Sequence, residues 1–454
     1  MRPLPDRPSC AALSPALHFS GPRPAWLRVL GLGLLALGAL ASGRAAEPAA
    51  ADPAVLQAYR TKIEGELRGN ILPFWLAHAR DRKHEGIHNE ITPDLVVLED
   101  APRGALLTSR ILWTFSAAYR RYRDPAYLEM AQWAYRDLVE HFRDEKFGGL
   151  YWSLTADGRP LDERKIVYGQ VFGIYALSEF YRATGEQPAL DQALELYRTV
   201  EAHAHDRQHR GYREEFTRDW QLRSGRSAMG ALGEKSQNAH IHILEAYTNL
   251  LRVWPDPQLR ENLRDLIGVL LEKILDPSSH HLRLFLAADW TPRSDTISYG
   301  HDIEFSWLVV EAAEVLGDPA VLKRAEDAAV AIARVTAAEG VDADGGVCNE
   351  GEAGRGFTDT RKEWWPQAEA AVGFAGAYRI SGDEAYLRHA LRSWDFIDTH
   401  LVDRRRGEWL RGVTREGRPL TRGANKVSFW KCPYHNSRAC LELLDRLAPR
   451  SAAP

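Results

Sequence analysis

A short turn phrase returns along the chain and divides it into helix pairs. It begins at Arg123, Gly185, Pro255, Gly317 and Gly382, with a spacing of roughly 65 residues. In its fullest form it runs Gly317-Asp318-Pro319. This pattern is typical of a helix end followed at once by a helix start: a glycine after one helix, an acidic N-cap, and a proline in the first turn of the following helix. The period holds two helices with their loops, so it predicts an array of helical hairpins.

Two kinds of apolar segment alternate between these turns. The segment before each phrase is apolar and aromatic nearly all round, which is typical of a fully buried helix, whereas the segment after it has one apolar stripe. The first kind covers 106–122, 168–181, 240–254, 303–316 and 364–380, and the second covers 126–142, 189–205, 258–275, 320–335 and 385–401. An opening helix over 53–79 and a closing helix over 434–447 complete the set. We therefore predict an all-α (α/α)6 barrel of six inner and six outer helices.

The loops that lead from an outer helix to the next inner helix are rich in glycine and aromatic residues. Examples are FGGLYW at 147–152 and DADGGV at 342–347. Such stretches predict short β-hairpin loops over one mouth of the barrel, where they would line a pocket.

The N-terminal 46 residues differ from the rest of the chain. A basic, proline-rich start precedes an apolar run over 29–41, which is short for a membrane span and ends in small residues typical of a cleavage site. We predict a signal peptide and N-terminal extension over 1–46, one barrel domain over 47–454, and a periplasmic or secreted protein without stable membrane association after cleavage. A retained anchor is the alternative, and a start downstream of Met1 would indicate a cytoplasmic protein.

Charge and cysteine content exclude several other classes. A net charge of -4 offers no extended positive field to a nucleic acid. Cys10 would leave with the signal peptide, and Cys348, Cys432 and Cys440 have neither CxxC nor zinc-site spacing. We predict buried free thiols, at most one disulfide, and no structural metal.

Polar side chains recur near the starts of the otherwise apolar inner helices. Asn238 and His242 are four residues apart, and His301 and Glu304 are three apart, so each pair shares one helix face. The full set is Arg110, Tyr168, Asn238, His242, His301, Glu304, Trp364 and His435, with Trp430 close by. Burying such groups without a partner or a purpose is costly. We predict a site at this mouth, and the neighbouring tryptophans favour a carbohydrate ligand.

The histidines of the set are interpreted as functional because His242, His301 and His435 occupy matching positions of the repeat. Most of the other histidines lie in outer helices or loops, which is typical of structural or surface residues. Spacing alone leaves two roles open for Glu304, a substrate ligand or a carboxylate that orients a ring. Arg110 likewise fits a substrate ligand or a buried ion-pair partner.

Four segments around these side chains form an ordered series of motifs. They read KSQNAHIHILEAY at 235–247, ISYGHDIE at 297–304, KEWWPQAE at 362–369 and WKCPYHN at 430–436. Together they resemble the signature segments of the cellobiose 2-epimerases, in the N-acylglucosamine 2-epimerase superfamily. The similarity extends over residues 53–447.

The resemblance implies an (α/α)6 fold and interconversion of a reducing-end glucose with mannose, for example cellobiose to glucosyl-mannose or lactose to epilactose. It implies that His301 and His435 form the acid/base pair and that His242 assists at the C1/O5 end of the sugar. The positions that it implies for substrate binding are Arg110, Tyr168, Asn238, Glu304, Trp364 and Trp430. Family members are commonly cytoplasmic, whereas this chain has a predicted export signal.

The implied chemistry agrees with the residue types. A C2 proton becomes acidic only after the sugar ring opens, and inversion requires its removal from one face and its return to the other. Histidine, with an ordinary pKa of ~6.5, allows one ring to start neutral and the other protonated near neutral pH. Arg110 and a protonated histidine would stabilise the negative charge of a cis-enediolate. This scheme requires no cofactor and no metal.

Several alternatives differ in their residue requirements. Aldose-ketose isomerisation and N-acylglucosamine epimerisation use the same scaffold and stay open. Hydrolysis requires two carboxylates about 5–9.5 Å apart, whereas histidines predominate here. An inactive binding protein would lack one of the histidines, and a metal site on His240 and His242 would have its ligands on different sides of a helix. We predict a disaccharide as the partner and a monomer or weak homodimer.

Overall fold

The computed structural model describes residues 50–225 and 233–449. The predicted signal peptide over 1–46 lies outside these residues, and export stays a prediction. Within the described residues, no helix is long and apolar enough to cross a membrane. Cys348, Cys432 and Cys440 are buried free thiols, as predicted.

Helices account for most of the described chain. In chain order they are α1 (Pro53–Glu66), α2 (Leu72–His78), α3 (Ala105–Tyr122), α4 (Pro125–His141), α5 (Val167–Thr184), α6 (Gln187–His203), α7 (Gln237–Val253), α8 (Pro257–Val269), α9 (Tyr299–Leu316), α10 (Pro319–Val335), α11 (Trp364–Ser381), α12 (Glu384–Phe396) and α13 (Tyr434–Arg446). The π-helical segment Leu67–Ile71 joins α1 and α2 into one outer helix. Similar π-helical segments, Leu270–Ile274, Thr336–Gly340 and Ile397–Leu401, extend α8, α10 and α12.

The helices form two concentric rings. Helices α3, α5, α7, α9, α11 and α13 pack in this order, and α13 closes the inner ring by packing against α3. The even-numbered helices from α4 to α12 each pack outside the inner helix that precedes them, and α1 packs against α13. The inner helices are buried on nearly every side, which explains why their segments lack a polar stripe. The predicted (α/α)6 barrel is confirmed.

The turns between inner and outer helices follow the repeated phrase. Gly317 ends α9 with a φ of 74°, a conformation that residues with a Cβ rarely adopt. Asp318 then caps α10, because its side chain accepts hydrogen bonds from the Ala320 and Val321 amides. Equivalent caps are Asp124, Asp256 and Asp383. These short turns bring the N-terminal ends of the inner helices to one mouth of the barrel.

Short antiparallel strands join the loops at this mouth. In chain order they are β1 (Arg80–Asp81), β2 (Gly86–Ile87), β3 (Arg103–Gly104), β4 (Ser153–Leu154), β5 (Pro160–Asp162), β6 (Lys165–Ile166), β7 (Glu215–Phe216), β8 (Lys235–Ser236), β9 (Phe285–Leu286), β10 (Thr296–Ser298), β11 (Glu350–Glu352), β12 (Gly356–Asp359), β13 (Lys362–Glu363) and β14 (Gly412–Val413). The sheets have the orders β1-β2, β3-β4-β5, β6-β7, β8-β9, β10-β11-β12 and β13-β14. The two loops quoted from the sequence are closed by the isolated antiparallel bridges Arg143–Leu150 and Val341–Val347. Further hairpins are formed by β1-β2, β4-β5 and β11-β12.

The remaining strand pairs follow a rule that the sequence pattern did not predict. The strand that enters an inner helix pairs with the strand that follows the next outer helix, as in the register Lys235 to Leu286 and Ser236 to Phe285. Buried lysines add a second connection. Each precedes an inner helix and pairs, at a distance between 2.6 and 2.9 Å, with an aspartate that follows the preceding outer helix. The pairs are Lys165–Asp144, Lys235–Asp206, Lys362–Asp344 and Lys426–Asp403. Because breaking a buried ion pair leaves one charge uncompensated, these pairs hold the mouth loops in place.

Candidate active site

A cavity of about 180 Å³ opens at the mouth formed by the inner-helix N-terminal ends. Each inner helix contributes at least one lining side chain from its first two turns. The lining includes every predicted site residue, namely Arg110, Tyr168, Asn238, His242, His301, Glu304, Trp364, Trp430 and His435. Glu363, Trp365 and Arg411 complete it. A larger depression of about 550 Å³, at the other ends of α9 and α11, has no histidine in its lining.

His301 stands in the first turn of α9. Its Nδ1 lies 2.7 Å from the Ser298 hydroxyl, and its ring centroid is 4.6 Å from that of Trp365. Burial lowers the pKa of His301 to about 3. The ring is therefore neutral at physiological pH and available to accept a proton.

His435 stands in the first turn of α13. Its Nδ1 lies 2.7 Å from Glu369 Oε1, and its ring centroid is 5.7 Å from that of Trp365. Burial, and then the charges of Arg110 and Arg438, lower the pKa of His435 well below 6.5. Since the rings of His301 and His435 both contact Trp365, they belong to one compact site.

His242 lies on the wall formed by α5 and α7. Its Nδ1 is 3.0 Å from Glu245 Oε2, and its ring packs against those of Tyr168 and Phe172 at centroid distances of 5.1 and 4.9 Å. Burial lowers the pKa of His242, although the Glu245 carboxylate opposes the shift. Burial raises the pKa of Glu245, but the charge of Arg438 and the hydrogen bond from His242 outweigh this effect and lower the pKa to about 2. The ionised carboxylate therefore accepts a hydrogen bond from His242.

Arg110 carries a charge that no carboxylate of the described residues neutralises. Its Nη2 donates to the Tyr168 hydroxyl at 2.9 Å, and its guanidinium lies 4.4 Å from the Phe172 ring centroid. Burial opposes its charge, but Tyr168 and the Cys432 thiol outweigh this effect and raise its pKa. The ion-pair interpretation of Arg110 is therefore wrong. A buried cation at a cavity wall is suited to an anionic ligand or intermediate.

Several polar atoms of the lining have no hydrogen-bond partner among residues 50–225 and 233–449. They are Arg110 Nε, Asn238 Oδ1, Glu304 Oε2 and Trp364 Nε1. Buried polar atoms in native structures normally have a hydrogen-bond partner. Orphaned donors and acceptors around one cavity indicate a polar ligand with several hydroxyl groups, such as a sugar.

Three carboxylates converge beneath the cavity on Arg438. Its Nη2 donates to Glu304 Oε1 at 2.6 Å and to Glu369 Oε1 at 2.8 Å, while its Nη1 donates to Glu245. Burial, and then the charge of Glu369, raise the pKa of Glu304 well above 4.5. Glu304 Oε1 accepts from Arg438 and lies 3.8 Å from His435 Nδ1, whereas Oε2 has no partner among the described residues and is available to a ligand.

Possible metal ligands also lie in this cluster. Potential ligand atoms of Glu304, Glu369 and His435 lie within 4.8 Å of one another. However, the Arg438 guanidinium already occupies the position between the two carboxylates, where a cation would bind. The other histidine of interest, His240, receives the Tyr212 amide at Nε2 and contacts the Ser236 carbonyl at Nδ1, so both of its ring nitrogens are engaged by backbone.

Sequence reasoning missed several side chains of this site, among them Glu363 and Arg411 of the cavity lining. Glu245 follows His242 by three residues and Arg438 follows His435 by three residues, so helical spacing could have indicated both. Trp365 belonged to the tryptophan cluster that favoured a carbohydrate ligand, but its contact with both His301 and His435 was not predicted. Glu369 has no local signal, because its partner His435 lies on another helix.

The fold and the site together define an (α/α)6 barrel with a polar, histidine-lined cavity at one mouth. The family model for N-acylglucosamine 2-epimerase (GlcNAc 2-epimerase) matches residues 86–437. The cellobiose 2-epimerase of Bacteroides fragilis is 44% identical over 387 residues, which are 85% of this chain and 98% of that protein. The cellobiose 2-epimerase of Dictyoglomus turgidum is 38% identical over 395 residues, covering 86% and 100%.

Solved structures agree with these relatives. The structure of cellobiose 2-epimerase from Bacillus thermoamylovorans B4167 is 41% identical, with a TM-score of 0.81, and the match covers 86% of this chain and 100% of that one. The chain belongs to the N-acylglucosamine 2-epimerase family. The resemblance predicted from the four motifs is confirmed, as is the class of carbohydrate epimerases.

Proposed function

We propose that the chain inverts C2 of the reducing-end glucose of β-1,4-linked disaccharides, converting cellobiose to glucosyl-mannose and lactose to epilactose. In this proposal, His301 and His435 exchange the C2 proton, and His242 moves protons at the C1/O5 end during ring opening. Similarity to cellobiose 2-epimerases over most of the chain supports the reaction class. The observation that carries the histidine pair is the contact of both rings with Trp365 inside one cavity.

Proton removal requires a neutral base. One of the two imidazoles takes the C2 proton, the electrons of the C2–H bond form the C1–C2 double bond, and the negative charge moves to the C1 oxygen. Burial keeps both rings neutral in the empty site, which supports their action as bases. The product of this step is a cis-enediolate.

Proton return requires the ring on the opposite face to be an imidazolium. The negative charge of the enediolate raises the proton affinity of the rings that face it. That ring takes up a proton from solvent as the substrate binds, and the first ring, left as an imidazolium, returns one to solvent after turnover, so that no net proton is gained or lost. Glu369, which is bound to His435 Nδ1, would stabilise the positive ring.

Arg110 is suited to hold the enediolate oxygens. Its guanidinium is buried, stays charged and has no competing carboxylate. A fixed positive charge in a water-poor cavity stabilises a developing oxyanion more strongly than water does, because it needs no reorientation. Tyr168 fixes the position of Arg110 through the 2.9 Å hydrogen bond.

An aromatic surface at the rim of the cavity is available to the second sugar of a disaccharide. Trp430 is 36% exposed, and its ring centroid lies 5.7 Å from that of Phe429 and 6.2 Å from that of Trp152. Flat apolar faces of this kind stack on sugar rings. This surface supports a substrate larger than one hexose.

The test is incubation of cellobiose with the enzyme in heavy water, read by mass spectrometry and NMR. Deuterium at C2 of a mannose-ended disaccharide is the expected result, with cellobiose incubated in heavy water without enzyme as the control for uncatalysed exchange. A 2-ketose as the main product would instead establish an aldose-ketose isomerase. Faster turnover of N-acetylglucosamine than of cellobiose would establish the N-acylglucosamine reaction, and free glucose would contradict the proposal.

A further inference from the structure

Arg438 is the central charge beneath the cavity, although it does not line the cavity wall. It lies on α13, one turn after His435, and is only 1% exposed. Its guanidinium is enclosed by the rings of Trp307 and Tyr434, at 4.7 and 4.3 Å from their centroids. Through its three carboxylate partners it connects α13 to α7, α9 and α11.

We propose that Arg438 is a positioning residue that sets the tautomer and the protonation of His242 and His435 together. The inference rests on the proposed function of these two rings. Glu245 connects Arg438 to His242, and Glu369 connects it to His435. One guanidinium thus controls two functional rings on different helices.

The tautomers follow from the hydrogen bonds. Each imidazole directs Nδ1 at a carboxylate oxygen. Burial raises the pKa of Glu369, but the charge of Arg438 and the hydrogen bonds from Arg438 and Trp307 favour its ionised form. An ionised carboxylate can only accept. Nδ1 of His242 and of His435 therefore carries the proton, which leaves Nε2 as the basic nitrogen. Arg438 holds Glu245 with Nη1 and Glu369 with Nη2, and its planar fork keeps the two carboxylates in a constant relation.

The charge of Arg438 has a second effect. It counters the ionised carboxylates of Glu245 and Glu369, so its removal would leave the cluster more negative and more ready to bind a proton. That proton would block a basic ring nitrogen at a pH where the wild-type rings are neutral. A lysine would retain the charge but not the fork, because one ammonium cannot reproduce the two-sided contact with Glu245 and Glu369.

The tautomers can be measured without any activity. Wild-type protein labelled with ¹⁵N-histidine is examined by NMR at pH 7, and the His242→Gln and His435→Gln variants assign the two signals. The expected result is a protonated Nδ1 and an unprotonated Nε2 in both rings. A protonated Nε2 in either ring overturns the proposal. Because this readout is independent of substrate, it separates failure of the positioning role from failure of the proposed reaction.

The variants Arg438→Met and Arg438→Lys test the consequence for catalysis. The matched control is Arg446→Met, since Arg446 also lies on α13 and against Trp307, at 5.5 Å, but pairs with Glu442. For Arg438→Met we expect kcat to fall by at least about 100-fold with KM changed less than about threefold, as for a loss of positioning. A new acid limb of kcat/KM should appear between about pH 5 and 7, the range of an ordinary histidine.

For Arg438→Lys we expect a lower kcat but no new acid limb in the pH profile of kcat/KM. Arg446→Met should have a wild-type kcat and a wild-type pH profile. If Arg438→Met does not fold, as judged by circular dichroism, the kinetics of Arg438→Lys and the wild-type NMR data test the positioning role of Arg438 instead. A folded Arg438→Met enzyme with a wild-type kcat and pH profile overturns the proposal. So does an equal loss in Arg446→Met, which would indicate general destabilisation of α13.

Discussion

Replacing Glu369 by glutamine tests how the protein supports His435. In the wild type, Glu369 Oε1 accepts from His435 Nδ1 at 2.7 Å and from Arg438 at 2.8 Å, while Oε2 accepts from Trp307 Nε1 at 3.0 Å. Every contact of this carboxylate is therefore with a donor. A glutamine offers one acceptor and one donor, so either orientation of the amide places a donor against a donor.

The magnitude follows from the bonds that are lost. A hydrogen bond to a charged group contributes about 1.5–3 kcal/mol, so loss of the carboxylate that stabilises the His435 imidazolium should lower kcat by roughly 10- to 150-fold. The donor-donor contact should also lower the free energy of unfolding by about 1–3 kcal/mol. These two effects have different origins and can be separated.

A second substitution separates them. Trp307→Phe removes the indole N–H, so in the double variant Glu369→Gln/Trp307→Phe the amide nitrogen no longer meets a donor there. Urea unfolding should show that the double variant recovers stability relative to Glu369→Gln. Its kcat, measured as deuterium incorporation at C2 of the product, should stay low, because His435 still lacks a carboxylate.

Two results would refute this reasoning. One is a folded Glu369→Gln enzyme with kcat within about threefold of wild type, which would correspond to less than a typical neutral hydrogen bond. The other is recovery of kcat in the double variant, which would show that the loss came from packing around Trp307. Either would remove Glu369 from the support of His435.

Three further predictions concern pH, the rim and the mouth loops. Because burial lowers the pKa of His301 to about 3, kcat/KM at pH 5.5 should stay within about twofold of its value at pH 7, whereas a base with an ordinary pKa of about 6.5 would lose roughly tenfold. Trp430→Ala should raise KM for cellobiose roughly 2- to 12-fold at nearly constant kcat, and an equal change for glucose would show that Trp430 does not contact the second sugar. Lys235→Met should lower the free energy of unfolding in urea by about 3–5 kcal/mol, and an unchanged value would mean that its ion pair with Asp206 is not structural.

The parts of the fold that are local in sequence were predictable. The turn at Gly317, Asp318 and Pro319 needs only its own residues, because a left-handed glycine, an acidic cap and a first-turn proline each act within one helix turn. Repetition of that turn identified the helix pairs and hence the barrel. The positions of His301 and His435 in the repeat then predicted a shared site.

The parts that depend on contacts between distant helices were not predictable. Arg110 was compatible with an ion pair until the structure showed a phenol and a thiol beside it instead of a carboxylate. Glu369 and His435 are 66 residues apart, so no spacing rule connects them. The pairing of β8 with β9 likewise depends on how successive helix pairs stack, which a single repeat does not contain.

The central claim is that His301 and His435 serve opposite faces of C2. Its most direct test uses the variants His301→Ala and His435→Ala, incubated separately with cellobiose and with glucosyl-mannose in heavy water. We expect neither variant to interconvert the two sugars, while each exchanges the C2 hydrogen of one epimer only, and the two variants exchange opposite epimers. Exchange of the same epimer by both variants, or epimerisation by either one at a near wild-type rate, would contradict the two-histidine account.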